Sequence, residues 1–394
     1  KGNLNIQSTT QSSQNTLGQS NYSWTGIDRI AGLYVGSAQQ QALNDQPSLV
    51  MNVGGDTRIL AANIQNNSGG QTIIRTGGDL KVGSLNTQVT NNVVGSSKAY
   101  HLDTRQVEVG SQIKSQGDLS LQGNNIQIHG SQISSSEGLT ALQAKEQLQI
   151  EEGRNKLDQQ DQSSFTKKGK LSSSTTSDFS HRSSDIAVGS IVEGKKVLLD
   201  AGNITVRGSN IVSDELTQIQ AKENVTIEGA QNQYNSETNS VVKKSGFMST
   251  GGIGFSLGKK QDTTLQTGQQ LTNSASQVGS LNGNTNIIAG KTYQQTGSTV
   301  SSQKGDVNVQ AQQINVEAAK EQQDSLYKHE MQQKGLTIAV NVPVVTAVQS
   351  AVESTKQVGQ SKNDRVNAMA AANSAFDSYK AGQTLSKLKD IASS

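Results

Sequence analysis

Apolar residues are sparse along this chain, and many of them come in pairs that skip one position. Leu119 and Leu121 form one such pair, and Val197 and Leu199 form another. Residues separated by one position lie on the same face of a β-strand, so each pair gives a short strand one apolar face. Gly, Asn and Ser stand between the pairs. The pattern predicts many short strands joined by tight turns.

Gly-Ser pairs mark an internal repeat. They begin at Gly110 and Gly130, at Gly189 and Gly208, and at Gly279 and Gly297, which are intervals of 20, 19 and 18 residues. Short alternating runs that recur at such a period are typical of the coils of a parallel β-solenoid. We therefore expect an all-β fold, a right-handed parallel β-helix with about 20 residues per coil. About ten to thirteen coils, each advancing about 4.8 Å, make a rod of about 50–60 Å.

Composition supports a narrow core that extends in one direction. Only 32% of the 394 residues are hydrophobic and 3% are aromatic, which is too little for a compact globule of this length. The chain has 2 prolines and a net charge of +2, whereas disordered chains usually have many prolines and a high net charge. A solenoid needs to bury only one face of each strand, so it fits this composition.

Four segments interrupt the repeat, near residues 20–36, 163–180, 240–260 and 330–345, and we expect each to be a β-hairpin that leaves the coil. Two of them alternate apolar and small or polar residues, with the apolar positions at Ile253, Phe255, Leu257, Leu336, Ile338 and Val340. Such a strand either folds back as a flap on one side of the coil or joins a sheet elsewhere, including one in a membrane. These six residues are the candidates for contact with a membrane or a partner.

The last part of the chain differs from the repeats. We expect the β-helix and its hairpins to occupy residues 1–350, and residues 351–394 to form a short C-terminal helical segment. This segment has more Ala and Lys and less Gly, and Val366, Met369 and Phe376 share one helical face. It is either a linker towards a further module or a cap for the end of the solenoid, which needs one.

The glycine-rich stretch from Gly251 to Lys260 is not a phosphate-binding loop. A P-loop needs glycine five positions before Gly258 and a hydroxyl after Lys259, but these positions hold Ile253 and Lys260. The repeated Gly-Asp pairs lack the remaining spacing of calcium-binding repeats, so they are expected to be turn residues.

Other motifs give no catalytic residue, cofactor site or metal site. The four histidines do not form H-E-x-x-H, and His129 is expected to be a solvated turn residue. The chain has no cysteine, and its net charge of +2 is expected to offer no field for a nucleic acid or for anionic lipid. The start of the chain lacks the apolar run of a signal peptide, so we expect any export signal to lie elsewhere. No small-molecule substrate is expected, although paired carboxylates of a carbohydrate-active β-helix enzyme remain an alternative.

The Gly-Ser pairs, "GDLSLQG", the recurring "QAKEQLQIEEG" and "QAKENVTIEG", and "KKSGF…GIGFSLG" resemble the haemagglutinin repeats of filamentous-haemagglutinin-like exoproteins. They are most similar to the second haemagglutinin-repeat region of CdiA-type contact-dependent growth inhibition effectors. The resemblance covers about residues 1–350, and the tail is similar to the helical segment that precedes the toxin part in that family.

The resemblance implies a secreted protein of a Gram-negative bacterium, exported by an outer-membrane two-partner-secretion transporter and carrying a C-terminal toxin. It implies that this region sits at the surface or in the periplasm of the producing cell and then helps the toxin across the outer membrane of a target cell. The main alternative is an adhesin rod whose polar faces bind cell surfaces. The repeat region alone is expected to have no enzyme activity.

Overall fold

The computed structural model describes residues 2–36, 48–249 and 255–338, and every regular element in these ranges is a β-strand. The strands form a 21-stranded sheet with parallel pairing and a nine-stranded sheet with antiparallel pairing. This confirms the expected parallel β-helix with hairpin excursions. The expected C-terminal helical segment lies outside the described residues, as do Ile253 and Val340.

In chain order the strands are β1 (Leu4–Gln7), β2 (Thr9–Leu17), β3 (Ser20–Arg29), β4 (Gly32–Val35), β5 (Leu49–Val53), β6 (Thr57–Leu60), β7 (Asn63–Asn66), β8 (Thr72–Thr76), β9 (Leu80–Gly83), β10 (Leu85–Ser96), β11 (Ala99–Val109), β12 (Gln112–Ser115), β13 (Leu119–His129), β14 (Gln132–Ser135), β15 (Leu139–Glu151), β16 (Gly153–Lys168), β17 (Ser172–Val188), β18 (Ile191–Ala201), β19 (Asn203–Arg207), β20 (Asn210–Ala221), β21 (Val225–Glu228), β22 (Ala230–Ser249), β23 (Phe255–Ser274), β24 (Gln277–Ser280), β25 (Asn284–Ala289), β26 (Thr292–Thr296), β27 (Thr299–Ser302), β28 (Val307–Gln310), β29 (Gln313–Glu317) and β30 (Gln322–Ile338).

The 21-stranded sheet wraps into a rod with three faces. The first face stacks β4, β7, β12, β14, the start of β18, the start of β20, β24 and β27. The second face stacks β5, β8, the first parts of β13 and β15, the ends of β18 and β20, β25 and β28. The third face stacks β1, β6, β9, the ends of β13 and β15, β19, β21, β26 and β29.

The described residues therefore build eight coils with all three faces, together with one strand that precedes them. This is fewer than the ten to thirteen coils expected. The long strands of the hairpins take up much of the described chain, and they add no coils. Sequence alternation shows that a segment is a strand, but it does not distinguish the two sheets.

The core is a set of apolar columns that run along the inside of the rod. The column under the first face consists of Ile64, Ile113, Ile133, Val192, Ile211 and Val278. The column under the second face consists of Ile74, Leu121, Leu142, Leu199, Ile219 and Ile287. All twelve are fully buried. Burial of such a side chain contributes about 1.5–3 kcal/mol, so two or three apolar residues per coil hold the rod together.

A column of serines lines the corner between the third face and the first face. Its members are Ser111, Ser131, Ser190, Ser209, Ser276 and Ser298. The backbone N–H of each serine donates to the hydroxyl of the next serine in the column, at 3.0–3.3 Å. The hydroxyls in turn donate to carbonyls, as Ser209 does to Arg207 at 2.8 Å. The column thus satisfies buried polar groups along the whole corner.

The serine column explains the Gly-Ser pairs and corrects one of them. Gly279 lies on the first face opposite Val212, so it is not at the corner. The corner residue of that coil is Ser276, and its sequence separation from Ser298 is 22 residues rather than 18. Direct coil-to-coil separations are 20 residues at Ser111 and Ser131 and 19 residues at Ser190 and Ser209.

A left-handed residue turns the chain wherever one coil passes directly into the next. Gly130, Gly208 and Gly297 occupy this position with φ of 55°, 51° and 54°. Ala61 is the fourth, with φ of 49°, and it is the one described non-glycine residue with positive φ. Since this conformation is unfavourable for residues with a Cβ, Ala61 marks a strained corner. The described part of the chain contains no helical segment with the length and hydropathy of a membrane span.

Candidate functional site: the hairpin sheet

The excursions all leave the rod at the corner between the third and first faces. The hairpins are β2–β3, β10–β11, β16–β17 and β22–β23, and β30 leaves at the same corner. Two coils separate each excursion from the next. A hairpin at residues 85–109 was not among the expected excursions, although it follows this two-coil rule.

The two-coil interval makes the hairpins pair with one another. Two coils advance about 9.6 Å along the rod, and two strands side by side occupy about the same width. Neighbouring hairpins therefore meet edge to edge, through antiparallel pairs β3–β10, β11–β16, β17–β22 and β23–β30. The result is one continuous sheet in the order β2-β3-β10-β11-β16-β17-β22-β23-β30, which we call the hairpin sheet.

The hairpin sheet becomes wider along the rod. Its strands have 9 and 10 residues in the first hairpin, 12 and 11 in the second, 16 and 17 in the third, and 20 in each strand of the fourth. At about 3.4 Å per residue, this is an increase from about 30 Å to nearly 70 Å. The strands of the fourth hairpin therefore extend farthest from the rod.

Few side chains of the hairpin sheet are buried. Polar groups pair across its strands instead, including the hydroxyls of Ser164 and Ser177 at 2.8 Å and of Thr166 and Thr175 at 2.8 Å. Such pairs contribute about 0.2–1 kcal/mol each. The sheet is thus held by its backbone ladders and polar pairs rather than by an apolar core, and both faces expose side chains.

Charged residues fasten the base of the hairpin sheet. Arg154 Nε donates to Asp185 Oδ1 at 2.7 Å within the third hairpin, and its Nη2 donates to the carbonyl of Gln231 in the fourth. Arg207 of the rod donates to buried Glu152 at 3.0 Å. Burial alone would lower the pKa of Arg207, but the hydrogen bond to Glu152 and the charges of Glu152, Glu151 and Glu228 together outweigh burial and raise that pKa above its ordinary value.

His129 also joins the rod to the sheet, in contrast to its expected role as a solvated turn residue. Its Nε2 lies 2.7 Å from Glu108 Oε2 at the base of the second hairpin. His101 and His181 likewise lie beside carboxylates, those of Asp161 and Asp158. No group of three possible metal ligands occurs among the described residues.

The tip of the fourth hairpin brings candidate residues together. Leu257 lies directly across from Leu336, and Phe247 lies across from Leu257 on the other side. These three side chains share one face and are 56%, 69% and 48% exposed, respectively. The backbone of Phe255 pairs with that of Ile338 in the same register, two residues farther out. We call Phe247, Leu257 and Leu336 the apolar row. Sequence reasoning missed Phe247, although its place in "KKSGF" gave the signal.

Three glycines lie side by side beneath the apolar row. Gly258 pairs with Gly246 and with Gly335, and the latter two have φ of 92° and 139°. A Cβ on Gly258 would overlap the carbonyl oxygen of Lys334. Glycine is therefore required where three strands approach closely just below the tip.

Lysines occupy the next positions towards the rod. Residues 166–175, 243–246, 258–261 and 332–335, which we call the lysine band, contain Lys167, Lys168, Lys170, Lys243, Lys244, Lys259, Lys260 and Lys334 and no Asp or Glu. The net charge of +2 conceals this band, because acidic residues elsewhere balance it.

Comparison with known proteins identifies the repeats. A family model described as Hemagglutinin repeat matches residues 171–274. This stretch includes β17, the two coils that follow it and the whole fourth hairpin. The match therefore spans both sheets and includes one complete two-coil interval.

Curated proteins similar to this chain include several CdiA proteins. The tRNA nuclease CdiA of Escherichia coli O6:K15:H31 (strain 536 / UPEC) is 34% identical over 218 residues, which are 55% of this chain and 7% of that protein. The deoxyribonuclease CdiA of Yersinia pseudotuberculosis serotype O:3 is 34% identical over 46% of the chain and 17% of that protein. The tRNA nuclease CdiA-2 of Burkholderia pseudomallei is 26% identical over 83% of the chain and 11% of that protein.

The chain thus spans a small part, about 7%, of the length of the first of these relatives. No solved structure matches the chain. The sequence repeats, the register of the stacked coils and the similar proteins all lead to one conclusion. The chain contains a CdiA-like haemagglutinin-repeat region.

Proposed function

We propose that this CdiA-like haemagglutinin-repeat region is a structural and delivery segment of a two-partner-secretion exoprotein that acts in contact-dependent growth inhibition. In this proposal the rod holds the hairpin sheet, and the sheet helps a C-terminal toxin across the outer membrane of a target bacterium. The transporter that exports the chain, the toxin and the target membrane are its proposed partners. The segment acts first at the surface or in the periplasm of the producing cell, and then at the target cell.

The apolar row supports this proposal most directly. Phe247 and Leu257 lie near the far end of the longest hairpin, and Leu336 on the neighbouring β30 adds a third large apolar side chain to the same face. Exposed apolar side chains in register are unfavourable in water and mark a contact surface. The backbone pairing of Phe255 with Ile338 continues the two strands outward. We propose that this surface, together with Ile253 and Val340, enters lipid or contacts an outer-membrane protein.

Flotation with vesicles of outer-membrane lipid tests the membrane contact. The parent chain should float with the vesicles, and a variant with Ile253→Asp, Phe255→Asp and Leu257→Asp should remain at the bottom of the gradient, because three carboxylates oppose entry into lipid.

A matched control carries three Asp substitutions at exposed valines of the second hairpin, Val89, Val93 and Val107. It should float like the parent, and circular dichroism should show that all three chains keep their β-structure. If the parent does not float, the proposed entry of this surface into lipid is wrong. Binding of the isolated chain to whole cells without flotation would instead favour an adhesin rod, whose exposed polar sheet faces would carry the contact.

A further inference from the structure

The lysine band holds 8 of the 34 Lys and Arg residues of the chain, at one end of one sheet and without an acidic residue among them. We infer that one face of this band is a binding site for the phosphate groups of lipid headgroups. The inference rests on the proposed membrane contact and names the chemistry of the membrane that the hairpin tip recognises.

Strand register places like charges directly against one another. Lys259 pairs with Lys334 across β23 and β30, and Lys244 pairs with Lys260 across β22 and β23. Like charges at directly opposed positions destabilise a sheet. Lys260 is relieved by Asp262, which lies 3.2 Å away. Lys259 and Lys334 have no carboxylate partner within the described residues, so an anion from outside the chain would relieve their repulsion.

The band includes a recess with the side chains that bind phosphate. Lys243, Lys259 and Lys334 line this recess, whose volume is about 340 Å³, together with the hydroxyl-bearing Ser173, Thr175 and Ser245. The register puts all six on one face of the sheet, because Thr175 pairs with Lys243 and Ser173 with Ser245, which in turn pairs with Lys259. The ammonium groups are the strong donors to phosphate oxygens, whereas the hydroxyls of Ser173 and Ser245 already pair with each other at 2.9 Å.

The same face carries the apolar row, and this favours a lipid over a free anion. On β23, Leu257 lies two positions closer to the tip than Lys259. On β30, Leu336 lies two positions closer to the tip than Lys334. Two positions along a strand correspond to about 7 Å, close to the distance over which a membrane changes from headgroups to acyl chains. Lysine side chains beside an apolar surface extend their ammonium groups to such a boundary. The tip would therefore place leucines among acyl chains and lysines among phosphates.

Vesicles with and without an anionic phospholipid test the site. The parent chain is mixed with vesicles of phosphatidylcholine alone and with vesicles that also contain phosphatidic acid, and the bound fraction is measured by flotation. The parent should bind the second kind at least about tenfold more tightly, and raising the salt concentration should reduce this preference.

The test variant carries Lys243→Gln, Lys259→Gln and Lys334→Gln, and should lose most of the preference for phosphatidic acid. Removal of opposed charges should not unfold it, so its melting temperature should equal or exceed that of the parent. The matched control carries Lys145→Gln, Lys222→Gln and Lys304→Gln, three exposed lysines of the rod, and should keep the preference. Inorganic phosphate at equal ionic strength should compete only weakly, since a lipid supplies the apolar contact as well.

Three results would overturn the inference. A parent that floats equally well with both vesicles has a membrane contact without a phosphate site, so the proposed function stands and the inference fails. Equal loss of preference in the test and control variants shows that net charge rather than the recess is responsible. Displacement by inorganic phosphate alone, at low concentration, shows a site for a free anion. A parent that floats neither with the two kinds of phosphatidylcholine-based vesicle nor with outer-membrane lipid contradicts the proposed lipid contact itself.

Discussion

The pairing of neighbouring hairpins depends on two coils lying between them, so deletion of a single coil should open the hairpin sheet. The perturbation removes residues 190–208, which are the coil of β18 and β19, and joins Gly189 to Ser209. The rod should tolerate this deletion. Ser209 then follows Gly189 instead of Gly208, so a glycine still precedes the corner serine. Ile211 takes the place of Val192 and stacks on Ile133.

The cost to the sheet follows from the register of β17 and β22. Fourteen residue pairs join them, from Ser172 with Gly246 to Asp185 with Gln233. After the deletion the two hairpins leave the rod about 4.8 Å apart, whereas two strands need about 9.6 Å. An antiparallel ladder averages about one hydrogen bond per residue pair, each worth about 0.5–1 kcal/mol, so about 7–14 kcal/mol of pairing is lost.

Hydrogen exchange measures this loss residue by residue. Amides of β17 and β22 that point towards each other should exchange much faster in the deletion variant, whereas amides that pair within each hairpin should keep their protection. A control deletion of residues 190–275 removes two coils and a hairpin together and joins Gly189 to Ser276. It restores the two-coil interval, so β17 should pair with β30 and remain protected. Unchanged protection of β17 and β22 after the single-coil deletion would refute the reasoning.

Three further predictions concern single residues. Ala61→Gly should stabilise the rod by about 0.5–1 kcal/mol in a denaturant titration, because it relieves a left-handed alanine; a loss of stability would show that its buried methyl group matters more. Ser209→Ala should destabilise by about 1–3 kcal/mol, since it leaves the N–H of Ser190 without its acceptor, and an unchanged melting curve would contradict a structural role for the serine column. Gly258→Ala should raise the rate of hydrogen exchange at the outer ends of β23 and β30. Gly268→Ala in the same strand should not, because its new methyl group meets only the flexible Ser236 hydroxyl. Equal effects of the two substitutions would show that the three paired glycines near the tip have no special constraint.

The columns of the core could be predicted from the sequence because alternation alone decides which side chains share a face. Leu121 and Leu199 are predicted as inward residues, and both are fully buried. The number of coils could not be predicted in the same way, because long strands such as β17 and β22 belong to the other sheet and add no coil. Distinguishing them requires the partner of each strand, and that partner lies tens of residues away in the chain.

The candidate site was predictable only in part. Leu257 and Leu336 stand out by alternation, and the structure brings them together across β23 and β30. The lysine band was not predicted, because its members come from four separate strands and one turn, and their charge disappears in the total of the chain. Only the register shows that Lys259 and Lys334 are neighbours.

The hairpin sheet places different limits on coils and on hairpins. In all four intervals of the described chain two coils separate successive excursions, while strand length varies from 9 to 20 residues. The number of coils is restricted because it sets the distance between hairpins, and a strand pair has one width. The length of a hairpin is not restricted in this way, because a longer hairpin only extends beyond its neighbour. A protein built on this plan can therefore change the reach and chemistry of its tips, as the lysine band and the apolar row illustrate, while the rod beneath them keeps one repeat.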